Sequence, residues 1–418
     1  MAGEPHLDTD DIAVGIDLGS REHAVVVLDT AGRRLTRFRV PHSNEGFAEL
    51  LQRTAPARFG RSTGRAVFAF EATGHFWEAV AHYLAEHGHR YVLVNPLATF
   101  RVREARQMGR DKRDATDAEQ IADLLRTGVV TKTQLEAPPY VELRRTWGEF
   151  DRLRRERARL KTLLKHQLYA VFPEFVRVWK DLFAPGPLAV LRLGLTPGEI
   201  AVLTPAEFTH RVTMARDGRR LWKPKLVQVH RWAQRTVAPP QGMTATVREI
   251  TRAVVRVDLL GQQLAALEGE LRAQLTAFPE AQFLATIPGV GWATVAGLIA
   301  QIGSITKYRH GRQLIKLAGL NPGRRESGTL AGRTMMTRRG RADLRTIVYM
   351  ATLSGLQHNP RLRAHFDRLR QRPHRPLATM PAYGACMTKF LLYAFAVMKH
   401  RVPFDPTHPG RLPRKEAA

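Results

Sequence analysis

The sequence has one cysteine, Cys386, among its 418 residues. A single thiol excludes a framework of disulfide bonds and any zinc cluster built from cysteines. The 16 histidines show no metal-binding spacing, and neither a Walker-type phosphate loop nor a Rossmann fingerprint occurs. The sequence therefore gives no support to a disulfide-stabilised scaffold, a cysteine-zinc site or a common nucleotide-binding loop.

Long hydrophobic runs are also missing. No uninterrupted apolar stretch approaches the roughly 18 residues that a membrane span requires, and no N-terminal segment is typical of a signal peptide. We therefore expect a cytoplasmic protein without a membrane partner.

Acidic residues are few: 38 Asp and Glu stand against 65 Lys and Arg, a formal net charge of +27. The excess is uneven, because the chain from Gln301 onward holds 23 Lys and Arg against 5 Asp and Glu, a net +18. Arginine dominates there, which suits bidentate contacts with phosphate. The pattern predicts that this end binds nucleic acid; a merely solubilising surface is the alternative.

The length predicts two or three domains. Residues 1–130 alternate strand and helix patterns and so predict an α/β domain that begins with a meander of three strands. The predicted elements are strands at Ile12–Asp17, His23–Leu28 and Arg34–Val40, a helix at Asn44–Thr54, a strand ending at Glu71, a helix at His75–His87, the strand RYVLVNP and a helix that carries Asp114 and Asp117.

Residues 131–280 predict a long antiparallel coiled coil, because apolar residues recur at heptad-like spacing in two segments. These residues are Leu143, Trp147, Phe150, Leu160, Leu164, Leu168 and Val171 in the first segment, and Ile250, Val254, Val257, Leu264, Leu267 and Leu271 in the second. An insert at about 183–242, punctuated by proline and glycine, carries no recognisable chemistry. Residues 281–418 form the third predicted domain.

Four carboxylates stand at positions that can converge. Asp17 ends the first strand and Glu71 ends another, and the ends of neighbouring parallel strands lie side by side. Asp114 and Asp117 share a helical stripe with Ile121 and Leu124, which places them toward the core. Oxygen ligands of this kind suit Mg²⁺ or Mn²⁺ and phosphoryl transfer. The alternative is ordinary capping, with Asp114 at the N-cap of its helix.

The stretch LATIPGVGWATVAGLIAQIG predicts a helix-hairpin-helix, in which Gly289 and Gly291 let the backbone approach a phosphate. An ordinary helical hairpin with a glycine turn is the alternative.

The stretch LAGLNPGRRESGTLAGRTMMTRRGRADLR is predicted to form a loop between two apolar helices. Ser327 lies near its centre among basic residues, and a hydroxyl surrounded by cations suits attack on a phosphodiester. A plain loop serine is the alternative. The neighbouring cations are Arg324, Arg325, Arg333, Arg338 and Arg339.

In this order the motifs resemble those of the DEDD-type transposases of bacterial insertion sequences, a family that includes site-specific DNA invertases and bridge-RNA-guided serine recombinases. The resemblance covers almost the whole chain. It is carried by VGIDLGS with Asp17, FEATGHFWEAV with Glu71, KRDATDAEQIADLL with Asp114 and Asp117, IPGVGWATVAGLIAQIG, and LAGLNPGRRESG with Ser327.

The resemblance implies an RNase H-like, RuvC-like N-terminal domain, a coiled coil that assembles subunits, and a mainly helical C-terminal transposase domain. By the same resemblance Asp17, Glu71, Asp114 and Asp117 would bind Mg²⁺, and Ser327 would form a covalent phosphoserine link with DNA. The partners implied are target and donor DNA, a structured guide RNA that pairs with both, and further copies of this chain in a dimer or tetramer.

Two other functions remain open at this stage. The first is a junction-resolving nuclease that keeps only the metal-binding carboxylates and hydrolyses DNA with activated water. The second is a non-catalytic scaffold that binds nucleic acid through its coiled coil and basic end, with the acids serving as caps and ion-pair partners.

Overall fold

The computed structural model describes residues 7–71, 76–94, 114–129, 136–216, 223–238, 241–327 and 330–407. At residues 114–116, 324–327 and 330–335 the description is limited to the backbone. The chain divides into two compact units, Met1–Leu135 and Glu136–Ala418, each with hydrophobic clusters of its own. The division into three domains stays a prediction.

The first unit is built on a five-stranded sheet with the order β3-β2-β1-β4-β5. The strands are β1 (Ile12–Asp17), β2 (Glu22–Leu28), β3 (Arg34–Pro41), β4 (Ala66–Glu71) and β5 (Arg90–Val94). The first three form an antiparallel meander, while β4 runs parallel to β1 and β5 runs parallel to β4. The predicted meander and the α/β character of this region are confirmed.

Both faces of the sheet are covered at its centre, where β1 and β4 are apolar and buried at successive positions, whereas the edge strand β3 alternates buried and exposed residues. The helices of the unit are α1 (Asn44–Arg53), α2 (Phe76–Glu86) and α3 (Asp114–Arg126). Ile12, Val14 and Ile16 of β1 belong to the cluster that contains residues of α1 and α2. Ala13 points to the opposite face, into the cluster that contains the buried residues of α3.

Gly15 of β1 lies directly against the backbone of α3. A Cβ atom at this position would collide with the carbonyl oxygen of Ala118 and lie 2.5 Å from the backbone nitrogen of Ala122. The helix therefore lies on the strand backbone, with only the methyl group of Ala122 beside the contact, and only glycine fits in the strand.

The second unit is almost entirely helical. Its helices are α4 (Pro138–Val171), α5 (Pro173–Val178), α6 (Pro185–Arg192), α7 (Pro197–Val202), α8 (Pro205–Met214), α9 (Lys223–Ala233), α10 (Met243–Leu275), α11 (Glu280–Ala285), α12 (Trp292–Ile302), α13 (Gly311–Leu317), α14 (Ala342–His358), α15 (Pro360–Arg370) and α16 (Thr379–His400).

The two long helices, α4 and α10, pack antiparallel. Gln274 donates to the Thr146 hydroxyl at 3.0 Å, and Arg256 pairs with Glu156 at 3.2 Å. Residue numbers thus rise along one helix as they fall along the other. The predicted antiparallel pairing is confirmed, whereas a supercoiled seam stays a prediction.

The apolar residues along α4 and α10 belong to two different hydrophobic cores, one at each end of the helix pair. Toward the start of α4 and the end of α10, they join the core formed with α11 to α16, through Leu143, Trp147, Phe150, Leu267 and Leu271. Toward the other end, they join a separate core with α5 to α9, through Leu160, Leu164, Leu168, Val171, Ile250, Val254 and Val257. The pair is therefore the shared wall of two helical cores.

The insert at 183–242 folds onto this pair as short helices, and its described part shows strong local start signals. Thr196 and Glu199 form a complete capping box at α7, and Thr204 and Glu207 form one at α8. In both glutamates, hydrogen bonds from the backbone and hydroxyl of the capping threonine hold the pKa below its usual value.

The segment that was predicted as a loop forms a β-hairpin, so that prediction was wrong. The hairpin consists of β6 (Pro322–Ser327) and β7 (Leu330–Met336), between α13 and α14. Its sequence is rich in glycine and arginine and has no alternation of apolar and polar residues. The usual sequence signal for a strand is therefore absent, although backbone hydrogen bonds hold the two strands together.

One described helix, α16, is long and apolar enough by length and composition to cross a membrane. Its Phe390, Leu391 and Met398 are fully buried among the other helices of the unit. Within the described chain, the composition of α16 is therefore explained by its place in a core.

Replacement of Gly15 by alanine is expected to destabilise the first unit by about 2 kcal/mol, because α3 must move away from β1. Urea unfolding measures the change. Gly269→Ala in α10 is the control: an added Cβ there meets nothing within 4 Å, and alanine favours a helix over glycine by about 0.5–1 kcal/mol. An unchanged unfolding midpoint for Gly15→Ala would contradict the close packing of α3 on β1.

Candidate active site

Asp17 and Glu71 end neighbouring parallel strands. The register of β1 and β4 places Ile16 opposite Phe70, so the next pair in the same register is Asp17 and Glu71. Side chains alternate along a strand, and Ile16 and Phe70 both point into the cluster that holds residues of α1 and α2. Both half-buried carboxylates therefore lie on the opposite face, the one that α3 covers.

The helix α3 begins at this same end of the sheet. Ala118 and Ala122 contact β1 at Gly15, while Arg126, the last residue of α3, lies by Gly32 in the turn between β2 and β3. That turn is at the opposite end of the sheet from Asp17, because Leu28 pairs with Ala13. The first turn of α3 is thus directed toward the ends of β1 and β4.

Asp114 and Asp117 lie in that first turn. Asp117 is half-buried, at the edge of the stripe formed by Ala118, Ile121 and Ala122 rather than at its centre. Asp114 is the first helical residue, and its side chain lies outside the described residues. The backbone therefore directs all four predicted carboxylate positions to one end and one face of the sheet.

The chemistry of these four residues suits a hard divalent cation, since each supplies carboxylate oxygens, the ligands that Mg²⁺ and Mn²⁺ prefer. Among the described residues, no three His, Cys, Asp or Glu side chains are grouped closely enough to hold a metal ion. The metal ligands consequently stay a prediction that rests on donor type and backbone placement.

A pair of histidines supports the turn after Asp17, and sequence reasoning missed it. His23 of β2 is 1% exposed; its Nδ1 accepts from the Gly19 backbone at 3.3 Å, and its Nε2 lies 2.9 Å from Nδ1 of His42. Because Nδ1 of His23 accepts, Nε2 carries the proton and donates to His42. The available signal was the inward position of His23, two residues before Val25 in a strand of buried valines.

Burial, and next the proximity of His42, lower the pKa of His23 from 6.5 to about 4. The imidazole is therefore neutral at physiological pH, and the hydrogen-bonded chain from the Gly19 amide through His23 to His42 stays intact. This chain holds the backbone of the turn that follows Asp17.

The turn between α11 and α12 uses its two glycines differently. Gly289 has a φ of 86°, and a Cβ there would lie 3.0 Å from backbone atoms of Gly355 in α14. Glycine is therefore needed at position 289 for two reasons: the turn requires a positive φ, and α14 packs too closely to leave room for a Cβ atom. Gly291 is the exposed N-cap of α12, and a Cβ there would meet nothing within 4 Å. Phosphate binding at these glycines stays a prediction, with Gly291 the more accessible of the two.

Ser327 is the last residue of β6 and pairs with Leu330, next to an irregularity in the register after Arg325. The side chains of Ser327, Arg324, Arg325 and Arg333 lie outside the described residues. Their roles stay predictions.

The base of the hairpin is well defined. The backbone N–H of Arg338 donates to the Gly319 carbonyl at 3.0 Å, and the Thr337 hydroxyl donates to the Asn321 side chain at 2.8 Å. Arg338 has a left-handed φ of 52°, and both Arg338 and Arg339 are exposed. The hairpin is thus tied to the end of α13, with these two cations on the surface.

Comparison with known families gives two matches. A model of DEDD transposases of IS110 elements, described as "Transposase", matches residues 14–173. A second model, described as "Transposase IS116/IS110/IS902 family", matches residues 281–367. Together they cover more than half of the chain, including every residue of the predicted carboxylate set and Ser327.

Individual relatives agree with these matches. The chain is 26% identical over 375 residues to the 43.6 kDa protein of insertion element IS110 from Streptomyces coelicolor, across 87% of this chain and 89% of that protein. It is 33% identical over 91 residues to the transposase for insertion sequence element IS1111A of Coxiella burnetii, across 22% and 25% of the two chains. It is 28% identical over 127 residues to the pilin gene-inverting protein of Moraxella bovis, across 30% and 38%.

Acidification is expected to destabilise the first unit through His23. In the unfolded chain this residue binds a proton near pH 6.5, whereas in the folded chain it does so only near pH 4. Its contribution to stability is therefore present above pH 6.5 and is lost as the pH falls toward 4. Between pH 7 and pH 5 the loss is about 2 kcal/mol.

Urea unfolding of the wild type and of His23→Gln at both pH values measures this contribution, because glutamine does not titrate. The variant is expected to lose about 2 kcal/mol less than the wild type on acidification. An equal loss in both proteins would show that His23 does not remain neutral in the folded state.

Proposed function

Because this chain belongs to the IS110/IS116 family of DEDD transposases and is a DNA transposase or recombinase, we propose that it cuts and rejoins DNA with Ser327 as the nucleophile. We further propose that Asp17, Glu71, Asp114 and Asp117 hold the Mg²⁺ or Mn²⁺ ions for this reaction. The observation that carries the proposal is the backbone placement of the four acids at one end and one face of the sheet, together with the family membership.

The first unit supports this proposal by its architecture. A meander of three antiparallel strands followed by two parallel strands, with acids at the ends of β1 and β4, is the arrangement expected of an RNase H-like, RuvC-like domain. In that setting the carboxylates would hold divalent cations, which polarise a phosphodiester. The His23–His42 pair would keep the turn behind Asp17 in place during the reaction.

In the proposed step, Oγ of Ser327 bonds to phosphorus while the bond from phosphorus to one deoxyribose oxygen breaks. The serine loses its proton, and the departing oxygen gains one. One phosphate ester replaces another, so the strand can be rejoined by the reverse reaction without a separate energy source. Cationic side chains around the phosphate would stabilise its developing charge; these are Arg324, Arg325, Arg333, Arg338 and Arg339.

The partners form part of the proposal. We propose that the basic second unit binds target and donor DNA and a structured guide RNA, and that the long helices α4 and α10 join copies of the chain into a dimer or tetramer. Gly289 and Gly291 would add backbone contacts to phosphate. The site of action would be the cytoplasm, where chromosomal DNA and transcribed RNA are both present.

A metal-dependent nuclease without a covalent intermediate is the second candidate function. It is favoured by the oxygen-donor chemistry of the four acids, which would suffice to activate water on a metal ion without a serine nucleophile. The third alternative, a non-catalytic scaffold, has lost its basis, because the chain belongs to a transposase family.

A denaturing gel with labelled DNA that carries the element's ends, the flanking RNA and Mg²⁺ distinguishes the two candidates. The wild type is expected to carry the label as a covalent adduct, and Ser327→Ala is expected to carry none. Asp17→Asn is expected to slow adduct formation by roughly 100- to 1000-fold, the usual cost of losing one group that stabilises charge in the transition state.

Two control variants accompany this test. Ser304→Ala removes a serine whose hydroxyl bonds to Thr306 at 2.7 Å and to the Tyr140 side chain, and which belongs to no predicted catalytic motif. Asp123→Asn removes an acid of the same helix that pairs with Arg126 in the last turn, away from the strand ends. Both are expected to retain the adduct. Cleaved DNA without an adduct, unaffected by Ser327→Ala, would instead establish the metal-dependent nuclease.

The guide RNA is tested by removing it. Treatment of the purified complex with ribonuclease is expected to abolish recombination, and addition of the flanking RNA transcript is expected to restore it, while a transcript of scrambled sequence is not. Recombination that survives complete RNA removal would remove the RNA from the proposal and leave the serine reaction unaffected.

A further inference from the structure

Four nitrogen-bearing side chains meet between α15 and α16, on a part of the second unit that no predicted motif includes. Arg361, His365 and Arg368 lie at spacings of four and three residues on one face of α15. Lys389 of α16 lies close enough to influence the titration of His365 and to be influenced by Arg361 and Arg368. These four residues form the α15–α16 cluster.

Among the described residues, no carboxylate neutralises this cluster. Arg361 donates to the backbone carbonyl of Asp405 at 3.3 Å, Arg368 donates to Nδ1 of His365 at 2.8 Å, and Nζ of Lys389 lies 5.5 Å from the centre of the Tyr393 ring. In the described part of the chain, none of the three permanent cations forms an ion pair. By contrast, Arg363 on another side of α15 pairs with Asp367 at 3.5 Å.

The missing counter-charge has an electrostatic cost. Burial and then the charges of Arg361 and Arg368 lower the pKa of Lys389, and burial and then the charges of Arg368, Lys389 and Arg372 lower the pKa of His365. Cations held together in this way repel one another, and a bound anion would relieve the repulsion.

Tyr393 lies beneath the cluster and supplies an independent indication of a ligand. The tyrosine is 8% exposed, and its hydroxyl is buried without a hydrogen-bond partner among the described residues. The guanidinium carbon of Arg361 lies 5.5 Å from its ring centre, and the charges of Arg361 and Arg368 act on its hydroxyl. A buried hydroxyl without a partner is unfavourable, so the described chain leaves a polar group next to the cluster unsatisfied.

The cluster is also held rigidly. The side chain of Asn359 caps α15 by accepting from the backbone N–H groups of Arg361 and Leu362 at 3.1 and 3.2 Å. Leu362 and Leu369, each one residue after an arginine of the cluster, anchor the adjacent side of α15 in the core, with 0% and 3% of their surfaces exposed. The three side chains of α15 are therefore presented from a fixed helix, which lowers the entropic cost of binding.

We propose that the α15–α16 cluster binds a backbone phosphate of nucleic acid. The donors would be Arg361, Arg368, Lys389 and Nε2 of His365, which carries the proton because Nδ1 accepts from Arg368. Contacts of this type hold a nucleic acid in register without reading its sequence. The inference depends on the proposed function only in taking nucleic acid as the ligand.

The test measures binding of labelled duplex DNA and of a labelled RNA hairpin to the full chain, by fluorescence anisotropy without divalent metal. The Arg368→Gln, Lys389→Gln double variant is expected to bind roughly tenfold more weakly. The logarithm of the binding constant falls linearly with the logarithm of the salt concentration. For the variant, the slope of this line should be less steep by about 0.9 for each phosphate of B-DNA that is no longer neutralised. The weakening should be equal for unrelated sequences.

The control is the Arg177→Gln, Lys180→Gln double variant, which removes the same charges from exposed positions at α5 and just after it. It is expected to bind like the wild type. Lys389→Arg preserves the charge and is expected to preserve binding, which separates charge from folding. Inorganic phosphate should raise the melting temperature of the wild type more than that of the Arg368→Gln, Lys389→Gln variant.

The two probes identify the source of the phosphate. A loss confined to DNA assigns the cluster to DNA, a loss confined to RNA assigns it to RNA, and a loss for both assigns it to a shared path. Unchanged affinity and salt dependence for both probes, or an equal loss in the control variant, would overturn the proposal. Because no cleavage occurs in this assay, its result is independent of whether Ser327 forms an adduct.

Discussion

The contact between the backbones of β1 and α3 at Gly15 determines the geometry of the first unit. With no Cβ at this point, the helix lies directly on the central strand, at a distance that a larger residue would prevent. The direction of the helix then brings its first turn to the end of the sheet where β1 and β4 stop. Strand register positions Asp17 and Glu71, and the packing of α3 on β1 at Gly15, together with its apolar contacts to the same face of the sheet, positions the helix that carries Asp114 and Asp117. The candidate metal site therefore depends on a residue that bears no side chain.

The sequence predicted the elements whose periodicity was strong. The strands of the meander were predicted within one residue of their bounds, and the helix that carries Asp117 and the two long helices were predicted as helices, because burial on one or both sides leaves a clear apolar pattern. The hairpin at 322–336 was missed because backbone hydrogen bonds hold its strands together. Backbone hydrogen bonds do not require a particular pattern of side chains, so a sequence rich in glycine and arginine does not reveal them. His23 was missed for a different reason: its role depends on its position relative to Gly19 and His42, which only the fold reveals.

In the candidate site, too, some features could be predicted from the sequence and others could be seen only in the fold. The types of residue at the strand ends were sufficient to predict oxygen ligands, and strand register was sufficient to place two of them side by side. The α15–α16 cluster could not be found in this way, because three of its members lie among many other basic residues of one helix and the fourth is 21 residues further along the chain. The absence of carboxylate partners and the unpartnered hydroxyl of Tyr393, both in the part of the unit that the structure describes, distinguish it.

Net charge alone overstates the surface that is available to nucleic acid. Several arginines of the second unit hold the ends of helices together: Arg144 donates to the Ala300 carbonyl at 2.8 Å, and Arg345 donates to the Ala318 carbonyl at 2.9 Å. Such side chains satisfy carbonyls that a helix terminus leaves unpaired. These guanidinium groups are thus held in place by the fold, and their number does not by itself measure the surface that can bind phosphate.

Because the two ends of α4 and α10 pack in separate cores, the length of these two helices is restricted. Between Phe150, in one core, and Leu160, in the other, α4 is continuous. One extra residue in that interval would rotate the two halves of the helix by about 100° relative to each other and turn one set of apolar side chains toward water. Insertions are compatible with both cores only in steps that nearly restore the rotation, such as about seven or about eleven residues, matched in the opposite helix. The interval is therefore a spacer whose length can change only in such steps.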